Sequence, residues 1–160
     1  MPELAPRRQR VIDSAETWID TPFLHATCIK GRGVDCIMLL AAVFAEAGVL
    51  PFVDPRPYPR AWFVHRDEER YLIGLEKLGR PIAHPQPGDV GVWKFGRCYS
   101  HGALLVTPFI DDINPLRRKG DVIHAYQPDG KVQRAELIHG DLLVRPVKWF
   151  DPYPILWPLE

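Results

Sequence analysis

Residues 21–48 read TPFLHATCIKGRGVDCIMLLAAVFAEAG, and the passage from loop to helix within them decides the fold. Gly31 and Gly33 interrupt regular structure, Asp35 carries the short acceptor side chain that caps a helix N-terminus, and the apolar run that follows stops at Gly48. The run over 36–45 is apolar nearly all round, which predicts a helix covered on most of its sides. It is about half the roughly 20 residues that a bilayer-crossing helix requires, so it reads as a core helix and no membrane insertion is expected.

Upstream, Val11, Ile12, Ala15, Trp18 and Ile19 recur at helical spacing and predict an amphipathic helix over 7–19, ended before Thr21-Pro22. Downstream, Pro51, Pro55, Pro57 and Pro59 impose an extended path, and residues 66–78 predict another amphipathic helix closed by Gly79. Short β-like runs follow: DVGVWKF (89–95), GALLVT (102–107), DVIHAY (121–126), KVQRAEL (131–137) and DLLVRPV (141–147), with Pro128-Asp129-Gly130 as a turn between two of them. Helices first and strands second predict an α+β fold in which an antiparallel sheet packs on the central helix. A length of 160 residues suits a single domain over 1–160. The connection 107–120 is long enough to cover a cleft or meet a neighbouring subunit.

Twenty basic and twenty acidic residues give zero net charge, so the positive field of a nucleic-acid binder is missing and no nucleic-acid partner is expected. There is no Gly-x-Gly-x-x-Gly or P-loop pattern. The start, MPELAPRRQRVID, lacks the apolar core of a secretory signal, and three cysteines (Cys28, Cys36, Cys98) have the wrong parity for a disulfide scaffold, so synthesis in the cytoplasm is expected. Cys98 and His101 form a C-x2-H pair which, with Cys28 and Cys36, numbers four zinc ligands, but no C-x2-C knuckle exists; no metal and no cofactor are expected.

Cys36 falls on the first turn of the central helix. Unpaired N–H groups and the positive helix end predict a thiol pKa below the free value of roughly 8.5, with Asp35 offsetting part of the drop. The same N–H groups can hold a developing oxyanion. On position alone, a buried inert cysteine is the alternative. His101 and His124 each occupy an apolar β-like run, and antiparallel pairing of those runs sets the imidazoles side by side. A triad follows: Cys36 as nucleophile, His101 as general base and a neutral His124 orienting it, with activity lost in acid. His25, in the loop before Cys36, would line such a site, whereas His65, His84 and His139 read as surface residues. Trp18, Trp62, Trp93, Trp149 and Trp157 read first as core and strap anchors, with Trp62, in the Pro-rich connection, alternatively flanking a cleft.

The ordered set TPFLHATCIKGRGVDC, PGDVGVWKF, SHGALLV and VIHAY resembles the NlpC superfamily of papain-like cell-wall cysteine peptidases over about residues 10–150, and within it the branch that tailed phages and gene-transfer agents encode beside their tail-tip genes. The resemblance implies a papain-like NlpC fold with Cys36, His101 and His124 in the catalytic positions and Asp35, His25, Phe23 and Ser100 on the substrate side. It implies hydrolysis of an amide in the peptidoglycan stem peptide, commonly between D-γ-glutamyl and a diamino acid. Without a signal peptide, such a chain is expected to travel in a phage-like tail tip or baseplate, with tail proteins as partners. Ile37 and Met38 stand where bacterial members carry Ser-Gly, and Phe23 where a tyrosine is usual. Met38 is expected to narrow the cleft or shift the helix, which leaves a structural baseplate subunit as one alternative. A cell-wall amidase using the same Cys-His pair is the other.

Overall fold

The computed structural model describes residues 4–60, 68–137 and 142–153. Among the described residues three α-helices, α1 (Pro6–Glu16), α2 (Cys36–Glu46) and α3 (Arg70–Leu78), combine with two antiparallel sheets. β1 (Cys28–Ile29) and β2 (Gly33–Val34) make a small hairpin just before α2. β3 (Arg80–Ile82), β4 (Val90–Phe95), β5 (Cys98–Leu105), β6 (Asp121–Tyr126), β7 (Lys131–Glu136) and β8 (Val147–Asp151) form a six-stranded sheet in the order β3-β8-β4-β5-β6-β7, with every neighbouring pair antiparallel. The α+β architecture predicted from the sequence is the one observed.

Strand alternation puts an apolar stripe on each face of this sheet. Val90, Val92, Leu104, Ile123 and Ala125 face α1 and α2 and share one core with Val11, Ile12, Leu39 and Val43. Trp93, Ala103, Leu105, Val122 and Trp149 form a second cluster on the other face, closed by Leu137 and Leu142. α2 is therefore covered on most of its surface, as its composition requires. Met38 does not enter a cleft: its side chain is fully buried in the first core, so the expected narrowing is absent.

Other expectations need correction. α1 ends at Glu16, and residues 17–20 continue as turns in which Trp18 is still buried, with Asp20 at φ 73°. Of the run read as a strand over 141–147, residues 142–145 are turn and bend, and among the described residues only Val147 is strand. Leu142 and Leu143 are buried within turns, and Pro146 has no N–H to enter a ladder, so pairing with β4 begins at Val147 and runs on into residues read as a Pro-rich strap. The hairpin β1–β2 and the edge strand β3 were not anticipated. His84 is exposed, while Trp62, His65 and His139 lie outside the described residues.

Candidate active site

The N-terminus of α2 is fixed by Asp35. Its Oδ1 accepts the Met38 N–H at 2.9 Å, its Oδ2 accepts the Ala26 N–H at 2.7 Å, and the Tyr58 hydroxyl donates to the same Oδ2. The carboxylate is thus occupied by this chain's own donors and only 4% of the residue is exposed, so its hydrogen bonds define a helix cap rather than a contact for a substrate amino group. His25 stands behind this arrangement, its Nε2 donating to the Tyr58 carbonyl at 3.1 Å and its ring edge-on to the Tyr58 ring. Phe23 packs against the first core and its N–H donates to the Gly130 carbonyl at 2.9 Å.

β5 and β6 part close to Cys36. The Leu105 N–H points to the β4 side, onto the Asp89 carbonyl, so the in-plane groups of Gly102 and Leu104 point toward β6, and a bulge opposite Trp93–Lys94 breaks the alternation at Ser100. β6 pairs with β5 only at Leu104↔Ile123 and Leu105↔Val122. Beyond that point the Ser100 carbonyl and the Gly102 N–H are left in a fork, and Cys36 fills it: its thiol donates to the Ser100 carbonyl at 3.7 Å, and the Gly102 N–H faces the sulfur together with the Cys36 and Ile37 N–H groups. Glycine is required at 102, since a Cβ there would lie 2.0 Å from the Tyr71 hydroxyl. That hydroxyl in turn donates to the Cys36 carbonyl at 3.5 Å.

His101 on β5 and His124 on β6 straddle the fork. Both are buried, and His101 Nε2 lies 2.8 Å from His124 Nδ1. Phe95 and Tyr126 wall the pair, with the Tyr126 ring stacked on His124 at 5.4 Å. The structure therefore joins the two histidines and sets the thiol against the backbone on either side of His101, but it does not hydrogen-bond thiol to imidazole. Among the described residues the thiol's partner is the Ser100 carbonyl. The remaining zinc candidates are scattered: the Cys28 thiol donates to the Met38 carbonyl at 3.8 Å and the Cys98 thiol to the Glu68 carbonyl at 3.4 Å. A cavity of about 420 Å³ between α2 and α3 is apolar, and Cys36, His101 and His124 are not among the residues that line it.

Electrostatics reverse one expectation. Burial, reinforced by the Asp35 carboxylate, pushes the Cys36 thiol up to about 12; the three N–H groups oppose this and are outweighed. Burial and its neighbour His124 hold the His101 pKa well below the usual histidine value, and burial lowers His124 to about 4, with Asp129 partly opposing. The resting state is a neutral thiol beside two neutral imidazoles. Alkylation of Cys36 by iodoacetamide is accordingly expected to be slow at pH 7 and to keep rising about tenfold per pH unit through pH 10. A plateau below pH 8 would mean a depressed thiol after all.

The histidine shifts also make stability pH-dependent. Both folded-state values lie below the unfolded one, so as pH falls from about 6.5 toward 4 the unfolded chain binds protons that the folded chain refuses. Stability is lost through that window, about 3 kcal/mol of it through His124. Urea midpoints measured from pH 7 to pH 4 are expected to fall, and to fall less steeply in His124→Asn.

The α+β architecture, with α2 packed on an antiparallel sheet, is consistent with a papain-like NlpC fold. Among solved structures the chain is similar to NlpC1 from Trichomonas vaginalis, with a TM-score of 0.60 over 96% of this chain. Identity is 15%, so the likeness establishes the fold alone, and this chain spans 46% of that one. No family model matches the sequence, and no curated protein matches it. None of the described helices is long and apolar enough to cross a membrane.

Proposed function

We propose that the chain is a cysteine endopeptidase that cleaves an amide in peptidoglycan stem peptides, the D-γ-glutamyl–diamino acid bond being the first candidate. The 2.8 Å contact between His101 Nε2 and His124 Nδ1, buried at the fork that holds Cys36, carries this reading. Two imidazoles are desolvated there at a cost in stability, and a base held in one orientation beside a thiol accounts for that cost.

With a thiol pKa near 12, attack and proton transfer are coupled. The thiol turns from the Ser100 carbonyl and gives its proton to His101 Nδ1 as the sulfur bonds to the amide carbon. The Cys36 and Ile37 N–H groups hold the oxyanion. As the C–N bond breaks, His101 returns the proton to the leaving amine, and water then hydrolyses the thioester with His101 again as base. His25 and Phe23, in the loop ahead of the cysteine, and Ser100, behind it, border the substrate path. Digesting purified sacculi and sequencing the released fragments, with Cys36→Ala as control, tests the reaction: new stem-peptide amines and carboxylates are expected from the wild type only. Release of free L-alanine amino termini instead, with the lactyl carboxylate left on the sugar, would identify an amidase.

We place the protein in a phage-like tail tip or baseplate, a reading supported by the sequence resemblance; mass spectrometry of purified particles tests it. The bond from the Cys36 thiol to Ser100 favours one second reading, a structural subunit that keeps the fold while its thiol stays inert.

A further inference from the structure

We infer that Asp129 is a positioning residue that fixes the tautomer of His124 and, through it, the proton-accepting nitrogen of His101; this deepens the peptidase reading and rests on it. His124 Nε2 is buried without a hydrogen-bond partner among the described residues, and Asp129 Oδ2 lies 3.7 Å from it. A buried ring nitrogen so placed calls for a partner. The Asp129 side chain is 31% exposed, and a movement of about 0.5–1 Å brings the carboxylate into hydrogen-bond range.

The proton count along the row runs in one direction. For His101 Nδ1 to accept the thiol proton it must be bare, so the His101 proton sits on Nε2 and donates to His124 Nδ1. His124 must then be protonated at Nε2, the nitrogen that lies 3.7 Å from the Asp129 carboxylate. The other polar groups around the His124 ring are His101 from β5 and the stacked Tyr126 of β6; Gln133 is its register partner on β7. Asp129 is held in place by backbone bonds across the molecule: Phe23 N–H to the Gly130 carbonyl (2.9 Å), Val132 N–H to Thr21 (2.8 Å) and Asp20 N–H to Val132 (2.9 Å). Gly130, at φ 73°, closes the turn.

Long-range ¹H–¹⁵N correlation spectra of the ¹⁵N-labelled full chain at pH 7, in wild type, Asp129→Ala and Asp129→Asn, test this without substrate. The wild type is expected to show both histidines protonated at Nε2. Asp129→Ala is expected to populate the Nδ1-protonated form of His124, and Asp129→Asn, whose carbonyl still accepts, to restore the wild-type pattern. With stem peptide, Asp129→Ala is expected to lower kcat about 10- to 100-fold at unchanged KM, and Asn to recover most of it. A wild-type His124 protonated at Nδ1, or tautomers indifferent to Asp129→Ala, would overturn the inference. Absence of cleavage by the wild type would instead overturn the peptidase reading, while the spectra still decide the role of Asp129.

Discussion

His101→Gln, which keeps most of the ring's volume, is expected to slow stem-peptide cleavage by about 10²- to 10⁴-fold, the usual contribution of a positioned general base. The loss should fall on kcat, because in the proposed mechanism the imidazole acts on the thiol proton and on the leaving amine rather than on bound substrate. The raised thiol pKa makes the dependence steep, since without His101 there is no local acceptor for a proton that the sulfur holds tightly. Combining His101→Gln with Cys36→Ala should cost no more than Cys36→Ala alone, as expected of residues acting in one step. Steady-state assays on a defined stem peptide check both statements. Near-wild-type turnover by His101→Gln would remove the base from the mechanism.

Arg8→Ala is expected to destabilise the fold by about 3–5 kcal/mol. Arg8 is buried in α1, and its guanidinium lies 2.6 Å from Asp89 Oδ1, 3.4 Å from Asp151 and over the Tyr153 ring at 4.3 Å. Asp89 has no exposed surface, and burial raises its pKa even with the arginine present, so the pair gains little over its own desolvation. Removing one partner leaves the other charge stranded at the junction of α1, β4 and β8. Urea unfolding should show a lower midpoint with an unchanged slope. The double variant Arg8→Met/Asp89→Asn, which strands no charge and keeps the Asp89 acceptor for the Gln86 N–H, should recover most of the loss.

The helix that organises the fold was readable because local signals agreed: Asp35 caps it, the apolar run fills it and Gly48, at φ 70°, ends it. The catalytic candidates were readable for a related reason, since a histidine in an apolar strand has to find a polar partner. Segment 141–147 misled because Leu142 is apolar for burial in the cluster of Trp93 and Trp149 and Leu143 is buried as well, and periodicity does not separate a buried turn from a strand. The protonation state of Cys36 was not readable. A helix N-terminus lowers a thiol pKa only when solvation permits, and the packing of β5 and Tyr71 that buries this sulfur comes from distant parts of the chain. Asp129 was read as a turn residue alone because its distance from His124 exists only in the folded chain.

The most direct test of the account is the mass of the protein acid-quenched during stem-peptide turnover. An acyl adduct equal to the amino-terminal product less water is expected, mapping to Cys36 and absent from Cys36→Ala. Cleavage with no mass on Cys36, or an adduct on Cys28 instead, would contradict it.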